Sequence, residues 1–390
     1  NKMMSEFSIN TKVFFGQDAY SSLYAFLKES DYHTFIAIID DAILNREAVQ
    51  TVLSLYKEHG YLLQAVCPFA VQEEPTYDQL DAFVDLLSYK TSDFIVAIGG
   101  GSVIDLAKGV GVLLKNSGKG IDYRGMHKVM NPGVPVIAYP STAGTGSEVT
   151  WTAAFIDTIE NKKLGINGQY VAPLCGVLDP RLVATCPRHI VVSSGLDAMV
   201  HAAEAVTATT ATDMTKLIGV KAFAMIYQYL PICLNYSDNL QAWSKLQLAA
   251  YLAGVALMNA GGGPASAVSY PLGVHYKVPH GIAGGIFLRG VFEINTTKGY
   301  LGYASIYDEL FDANHSLNEK EKTVDFINKF NQFYDRLNAP RDLKAWRCEG
   351  RGARADIVRL TMEQRLQNIK LNPVHFTEED VQILLENVCV

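Results

Sequence analysis

Short runs of consecutive apolar residues alternate with helix-like stretches through the first half of the chain. Such runs lack the polar alternation of a half-exposed strand and are typical of strands buried on both faces of a parallel sheet. The apolar runs are residues 34–39, 61–66, 94–98, 135–139 and 175–178, and the first helix-like stretches are 42–60 and 76–89. The pattern predicts a doubly wound, Rossmann-like α/β unit.

The apolar runs of β character end near residue 187. Stretches rich in Ala, Leu and Met follow, at residues 193–206, 213–230, 240–258 and 320–337. These stretches have the length and composition of helices rather than strands. We therefore expect an α/β domain over residues 5–186 and an all-helical domain over residues 187–390.

Composition and charge narrow the class of protein. Apolar residues make up 49% of the 390 residues, and the formal net charge is −7. An acidic chain is not suited to a nucleic-acid or acidic-membrane partner, which requires a basic face. No run reaches the roughly 18 apolar residues of a membrane-spanning helix, and the N-terminus shows no signal-peptide core. The six cysteines form no C-x-x-C pair, which favours free thiols in a reducing cytoplasm.

A glycine-rich loop follows the apolar run 94–98. Gly99, Gly100, Gly101 and Ser102 lead directly into a helix start that carries Asp105. A strand, a glycine turn and a helix N-terminus together form an anion site, because exposed amides and the helix dipole favour phosphate. A tight turn that needs glycine is the alternative. The G-x-G-x-x-G fingerprint is not satisfied, because Ile104 stands at its last position, so only the context supports a pyrophosphate site.

A second small-polar loop supplies that context. Ser141, Thr142, Thr145 and Ser147 follow the run 135–139, and an open α/β sheet binds its ligand at such strand ends. Asp41 ends another strand and could accept a hydrogen bond from a ribose hydroxyl, which would favour NAD over NADP. The alternative for Asp41 is a helix N-cap.

Asp197 and His201 are four residues apart in a helical stretch that otherwise carries Ala, Met and Val. This spacing places a carboxylate and an imidazole on one helix face. A buried carboxylate needs a partner, which a divalent cation supplies, although a plain Asp–His hydrogen bond would also serve. His280, in a Pro-His-Gly sequence, could complete a set of ligands suited to Fe²⁺ or Zn²⁺.

Several motifs together resemble the iron-containing (group III) alcohol dehydrogenases, the family of lactaldehyde reductase and glycerol dehydrogenase. They are AIGGGSVIDLAKGV (97–110), residues 140–150, VLDPRL (177–182), GLDAMVHAAEA (195–205) and YPLGVHYKVPHG (270–281). The resemblance implies an active site in the cleft between a nucleotide domain and a helical domain. It also implies nucleotide contacts from the two loops, Asp41 and Lys163, and a divalent metal on Asp197, His201 and His280. We also expect a cytoplasmic homodimer.

The chain departs from the family at a usual histidine ligand, fourteen residues before His280. Ser266 stands there, and Tyr270 replaces a neighbouring family histidine. His275, which we place in a loop before His280, could replace the lost ligand, or water could. Alternatively His275 faces the substrate, where it would be the better candidate for proton relay and Tyr270 the weaker one. Glu204 is expected to lie behind the ligands or at the surface.

The sequence therefore predicts a metal-dependent, NAD-linked alcohol dehydrogenase that transfers hydride reversibly between a small alcohol and nicotinamide. The polar residues Ser266 and Tyr270 suggest a polyol or the terminal alcohol of a sugar acid. Two alternatives remain. One is an NAD- and zinc-dependent lyase of a sugar phosphate, like dehydroquinate synthase, although such enzymes usually carry Glu where Asp197 stands. The other is a nucleotide-binding relative that has lost redox activity.

Overall fold

A computed structural model describes residues 5–71, 74–90, 92–311 and 315–390. The chain divides into two units. The first, called the α/β unit, comprises residues 9–186 and 237–247. The second, called the helical unit, comprises residues 5–8, 187–236 and 248–390.

The α/β unit alternates strands and helices. Its strands are β1 (Lys12–Phe15), β2 (Thr34–Asp40), β3 (Leu62–Phe69), β4 (Phe94–Gly99), β5 (Gly125–Met126), β6 (Val136–Pro140), β7 (Thr152–Asp157), β8 (Lys162–Asn167) and β9 (Cys175–Leu178). Its helices are α1 (Ala19–Lys28), α2 (Glu47–Glu58), α3 (Tyr77–Leu87), α4 (Gly101–Leu113), α5 (Pro180–Val183) and a 3₁₀ turn at Gly120–Tyr123.

Six of these strands form one parallel sheet in the order β1-β9-β6-β4-β2-β3. Alternate residues of one strand lie in two different apolar clusters: Phe35 and Ala37 in one, Ile36 and Ile38 in the other. Since successive side chains of a strand point to opposite faces, both faces of the sheet are buried. The prediction of a doubly wound parallel sheet is confirmed.

The direction of the strand order reverses between β2 and β4. The chain leaves β2 toward β3 on one side and leaves β4 toward β6 on the other, while β2 and β4 pair directly, with Ile39 beside Ile98. The carboxyl ends of two such strands bound a crevice, because their connections run to opposite faces of the sheet. This crevice is the expected ligand site of an open α/β sheet.

The helical unit contains no strand among its described residues. Its helices are α6 (Arg188–Thr207), α7 (Asp213–Asn235), α8 (Leu240–Ala260), α9 (Pro264–Tyr276), α10 (His280–Gly285), α11 (Leu288–Thr297), α12 (Ala304–Phe311), α13 (Glu319–Arg336), α14 (Gly350–Gln364), α15 (Leu366–Lys370), α16 (Glu378–Glu386) and a 3₁₀ turn at Lys344–Trp346. The first turns of α8 belong to the α/β unit. The predicted all-helical second half is confirmed.

The sequence did not predict a small second sheet. Strands β7 and β8 form an antiparallel hairpin, and β5 pairs with β8, in the order β5-β8-β7. Polar residues in β7 and β8 hide them from a search for uninterrupted apolar runs. The predicted helix at residues 42–60 also begins later, at Glu47, because a carboxylate oxygen of Asp40 accepts a hydrogen bond from the Ala42 amide and holds a turn.

One described helix, α7, is long and apolar enough to cross a membrane by length and composition. Its inner side is buried, and Phe223 packs against Phe326 and Phe330 at ring-centroid distances of 5.6 and 6.4 Å. A core helix of a water-soluble protein has the same length and composition, so α7 is weak evidence for a membrane.

Candidate metal and nucleotide sites

Three side chains of the helical unit converge on one point. Nε2 of His201 lies 3.2 Å, and Nε2 of His280 3.5 Å, from the same carboxylate oxygen of Asp197. One ligand atom from each residue lies within 4.8 Å of the other two. A tetrahedral ion with bonds of about 2.1 Å holds its ligand atoms about 3.4 Å apart, and the two separations from the Asp197 oxygen match this spacing.

The donor chemistry also fits a transition metal. Asp197 and His201 are only 4% and 6% exposed, and their neighbours on α6 include the buried Ala198 and Val200. One carboxylate and two imidazoles in an apolar setting suit Fe²⁺ or Zn²⁺ better than Mg²⁺ or Ca²⁺, which prefer oxygen ligands. The predicted Asp197–His201 pair and His280 are thus brought together.

Gly281 explains how His280 reaches α6. A Cβ atom at this position would lie 1.7 Å from the carbonyl oxygen of Ser193, an impossible distance. Helix α10 therefore approaches the backbone of α6 directly at its first turn, and only glycine permits this approach. The Pro-His-Gly sequence is accordingly a packing requirement for the third ligand as well as a motif.

The side of His280 away from Asp197 meets Ser269, which the sequence analysis did not single out. The Ser269 hydroxyl lies 3.4 Å from Nδ1 of His280 and donates to the carbonyl oxygen of Ser266 at 2.7 Å. With its own proton directed to that carbonyl, the hydroxyl can accept from Nδ1–H. This arrangement favours the tautomer whose Nε2 lone pair points toward Asp197, as in other metal-binding histidines.

Ser266, which stands at the position of the missing histidine, binds the carboxylate of Glu204. Its hydroxyl donates to one carboxylate oxygen of Glu204, and its amide donates to the other at 3.0 Å. Glu204 is 4% exposed, so of the two expectations for this residue the surface one is wrong. Burial raises the pKa of the Glu204 carboxyl, and the Ser266 hydrogen bonds act in the opposite direction.

Tyr270 lies against His280, one of the three candidate ligands. Its ring meets the His280 ring edge-on, with centroids 5.6 Å apart. The guanidinium carbon of Arg365 lies 3.5 Å from the Tyr270 ring centre. The Tyr270 ring therefore lies between the His280 ring and the Arg365 guanidinium. A histidine at this position would place an imidazole, which can become positively charged, beside the positive charge of Arg365.

His275 is placed differently from the prediction. It lies in the last turn of α9 rather than in a loop, and it is exposed. Nine residues of an α-helix correspond to a rotation of about 180° relative to Ser266, so His275 projects from the opposite side of the helix. It does not belong to the cluster of Asp197, His201 and His280. Burial and the charge of Arg359 lower its pKa.

In the α/β unit, the glycine loop and the small-polar loop pack on each other. The Ser141 amide donates to the Gly99 carbonyl oxygen at 2.8 Å. A Cβ atom on Gly100 would lie 3.4 Å from the Thr142 side chain, and one on Gly101 would lie 2.6 Å from that of Thr145. Helix α4 begins at Gly101, and its N-cap, Gly100, makes no side-chain cap. The two loops thus form one continuous backbone surface at the start of a helix.

Asp105 joins helix α4 to the small-polar loop and to β7 through hydrogen bonds. One of its carboxylate oxygens accepts from the Ser147 hydroxyl and lies 3.5 Å from Nζ of the buried Lys108. The other accepts from the Ala154 amide of β7 at 2.9 Å. Both oxygens therefore bind protein groups, and Asp105 and Ser147 hold the loop in position, while their direct contact with a cofactor stays a prediction.

Asp41 and Lys163 are two further residues for which the sequence predicts a nucleotide contact. Asp41 lies at the end of a strand of the large sheet, and Lys163 lies in the small sheet. Asp41 follows β2 at the reversal of strand order, and its amide donates to the Phe69 carbonyl oxygen at 3.0 Å. The N-cap alternative for Asp41 is wrong, because α2 begins at Glu47 with Arg46 as its N-cap. Lys163 lies on β8 and donates to a Glu74 carboxylate oxygen at 2.6 Å.

Comparison with known sequences identifies two matching families. Residues 10–180 match the family described as "Iron-containing alcohol dehydrogenase", and residues 191–389 match "Fe-containing alcohol dehydrogenase family, C-terminal". The NAD-dependent methanol dehydrogenase of Bacillus methanolicus is 28% identical over 355 residues, covering 90% of this chain and 91% of that protein. The probable alcohol dehydrogenase EutG of Escherichia coli is 35% identical over 229 residues, 59% of this chain and 57% of that protein.

Solved structures extend the similarity to the whole chain. The alcohol dehydrogenase from Oenococcus oeni superposes with a TM-score of 0.90 at 25% identity, covering 98% of this chain and 99% of that one. A structure of 1,3-propanediol oxidoreductase gives the same values.

Proposed function

The chain belongs to the iron-containing alcohol dehydrogenase family, and from this premise we propose that it is a metal-dependent, NAD-linked alcohol dehydrogenase. The reaction is the reversible transfer of hydride between the carbinol carbon of a small alcohol and the nicotinamide of NAD. The observation that carries the proposal is the convergence of Asp197, His201 and His280. The Nε2 atoms of the two histidines lie 3.2 and 3.5 Å from one carboxylate oxygen of Asp197.

Asp197, His201 and His280 would hold the divalent ion. Such an ion is a Lewis acid toward the oxygen of an alcohol or a carbonyl compound. One carboxylate and two neutral imidazoles neutralise only one of its two positive charges, so the ligands leave its electrophilic character strong. Ser269 would favour the tautomer of His280 that presents Nε2 to the ion, and burial keeps Asp197 and His201 away from solvent.

The nucleotide would be held at the carboxyl end of the large sheet. The amides of Gly99–Ser102 and the N-terminus of α4 suit the pyrophosphate, because the first N–H groups of a helix have no acceptor within the helix and the helix dipole is positive at this end. Ser141, Thr142 and Thr145 belong to the neighbouring loop, and Asp41, which follows β2 at the strand reversal, would accept from a ribose hydroxyl. A carboxylate there repels a 2′-phosphate, which favours NAD over NADP. Lys163 is a further proposed nucleotide contact.

For the hydroxyl proton of the alcohol, we propose Tyr270 ahead of His275. Tyr270 contacts the His280 ring, whereas His275 projects from the other side of α9. The Arg365 guanidinium lies against the Tyr270 ring and holds the side chain beside His280, so the phenol hydroxyl is the nearer candidate to exchange a proton with the substrate. The polar surroundings of Ser266 and Tyr270 favour a hydroxylated substrate, such as a polyol or a sugar acid.

We further propose a homodimer in the cytoplasm. All six cysteines are free thiols, as a reducing compartment requires. Met214 and Leu217 share one face of the first turns of α7 and are 49% and 71% exposed. Exposed apolar pairs of this kind are suited to coverage by a second copy. Sedimentation of the purified protein distinguishes a dimer from a monomer.

The test of the function combines metal content with turnover. Protein loaded with Fe²⁺ or Zn²⁺ is mixed with NAD and a panel of simple alcohols, diols, polyols and sugar acids, and growth of the reduced-nicotinamide absorbance is recorded. We expect reduction with at least one substrate, and none in the metal-free protein. If NAD stays oxidised while a sugar phosphate releases phosphate, the lyase alternative is correct instead.

A further inference from the structure

Two of the six cysteines lie side by side, far from each other in sequence. The Sγ atoms of Cys348 and Cys389 are 3.5 Å apart, and the Cys389 thiol also donates to the Cys348 carbonyl oxygen at 3.1 Å. Both residues are fully buried. The other four cysteines, at positions 67, 175, 186 and 233, are all described and show no such thiol–thiol contact.

The backbone around the two thiols is held on both sides. The Leu343 amide donates to the Val388 carbonyl oxygen at 2.9 Å, which joins the segment before Cys348 to the one before Cys389. A guanidinium nitrogen of Arg354, on α14, donates to the Cys389 carbonyl oxygen at 3.3 Å. The sulfur atoms are thus kept in contact by neighbouring bonds, and closing a disulfide of about 2.05 Å needs a sulfur displacement of only roughly 1.5 Å.

We propose that Cys348 and Cys389 are an oxidation site, at which a two-electron oxidant of the peroxide class converts the pair into a reversible intramolecular disulfide. The site uses no residue of the metal or nucleotide machinery, so it is independent of the proposed function.

Cys389 is the thiol that reacts first. Burial raises the pKa of both thiols, that of Cys348 to about 12, but at Cys389 the hydrogen bond with Cys348 and the charge of Arg354 oppose the increase. The Cys389 sulfur attacks one oxygen of hydrogen peroxide. The O–O bond breaks, water leaves and Cys389 becomes a sulfenic acid. The Cys348 sulfur then attacks the Cys389 sulfur, the S–S bond forms, the S–O bond breaks, and the second water leaves with the remaining thiol proton.

Two thiols are thereby oxidised by two electrons, and one peroxide is reduced to two waters. Because both sulfurs are buried, the rate is limited by local opening of the segment that carries Cys389. The link would fasten the start of α14 to the residues after α16. Helix α14 packs on α9, which carries Ser266, Ser269 and Tyr270, so the disulfide would stiffen the support of that helix and leave the ligands in place.

The test uses the full chain loaded with zinc, since Zn²⁺ is not itself oxidised by peroxide. The protein is exposed to hydrogen peroxide, remaining thiols are alkylated, and non-reduced peptides are analysed by mass spectrometry. We expect a peptide pair joined through Cys348 and Cys389, lighter by two hydrogen atoms and restored by dithiothreitol. Separate sulfinic acids on the two cysteines, or two fully alkylated thiols after prolonged exposure, would overturn the proposal.

Two variants and a control define the order of events. Cys348→Ser should stop the reaction at a sulfenic acid on Cys389, which a dimedone-type reagent captures, whereas Cys389→Ser should react at least tenfold more slowly. Cys233→Ser removes another buried thiol of the helical unit and should form the disulfide at the unaltered rate. Equal capture at Cys348 and Cys389 in the single variants would contradict the assigned order, and a disulfide between Cys389 and any other cysteine would contradict the pairing.

Discussion

The hydroxyl of Ser266 donates a hydrogen bond to the carboxylate of Glu204, which projects from the same helix as Asp197 and His201. Ser266 stands at the position where the resemblance to the family implies another histidine ligand. His275 lies outside the cluster of Asp197, His201 and His280, so its part as a replacement ligand stays a prediction. The position of the missing histidine is taken by a buried, hydrogen-bonded pair, and the metal would be held by three residues of this chain.

Ser266→Ala should spare the metal but weaken the fold. The Glu204 carboxylate would lose one donor while remaining buried, which costs about 1–3 kcal/mol. Chemical denaturation should show a lower free energy of unfolding, while elemental analysis shows an unchanged metal content. Ser266→His supplies the reverse test, because a fourth protein ligand should slow removal of the ion by a chelator. Loss of metal in Ser266→Ala would make the serine oxygen itself a ligand.

His201→Ala and His280→Ala should each abolish metal binding and turnover together. Each removes one of three donors, and two donors do not hold a divalent ion against a mild chelator. His275→Ala is the matched control, since it removes an imidazole from the same region without touching the cluster. Elemental analysis measures the metal content of the three variants. Loss of the metal in His275→Ala would show that His275 is a ligand.

Gly281→Ala should disrupt the metal site without altering any ligand. Its methyl group would collide with the Ser193 carbonyl oxygen, so α10 must move away from α6 at a cost of about 3 kcal/mol or more. Gly284→Ala lies on the same short helix, yet its methyl group would find its nearest neighbour, in Val200, at 3.4 Å. Metal affinity should fall steeply in the first variant and little in the second. Equal affinities would show that the close approach is unimportant for His280.

Asp41→Gly should narrow the preference for NAD over NADP. The carboxylate would otherwise repel the 2′-phosphate, and each tenfold of preference corresponds to about 1.4 kcal/mol. Isothermal titration with both nucleotides measures the change, and Asp41→Asn separates the loss of charge from the loss of a hydrogen-bond acceptor. Equal affinities of the unaltered protein for NAD and NADP would remove Asp41 from the site.

Asp179 should make the stability of the α/β unit depend on acid pH. Burial alone would raise the pKa of this carboxyl, but hydrogen bonds from Arg181 and Tyr20 outweigh it and lower the pKa below the ordinary value of about 3.9. A lowered folded pKa contributes stability above that ordinary value, and this is lost as the pH falls through the folded pKa. Urea unfolding from pH 7 to about 3 should show a flatter dependence of the free energy of unfolding on pH in Asp179→Asn than in the unaltered protein.

The parts of the site that follow from local periodicity were accessible to sequence analysis. Asp197 and His201 are predicted because four residues make one turn, and the glycine loop because it directly follows an apolar strand. Ser269 and Glu204 were not identified as partners of His280 and Ser266, since those contacts depend on how separate helices pack. The residue types alone do not indicate that Ser269 contacts His280 or that Glu204 contacts Ser266.

The misplacement of His275 has a physical cause of its own. Pro271 and Gly273 ordinarily break helices, which favours a loop before His280. In the structure α9 runs through Pro271 as far as Tyr276 and ends on Lys277 in the left-handed conformation. Continuing the helix turns His275 away from Ser266. The small sheet was missed for a different reason, because the polar positions of β7 and β8 resemble a loop.

Because α10 approaches the backbone of α6 directly at Gly281, the metal site is completed only late in folding. Asp197 and His201 share a helix and can be adjacent before the chain has folded, but His280 joins them only when α10 is seated on α6. The unfolded chain therefore lacks the complete three-donor site, and a divalent ion would bind the native state more tightly than the unfolded chain. Binding energy is then folding energy, so raising the metal concentration should raise the melting temperature of the helical unit in proportion to the logarithm of that concentration.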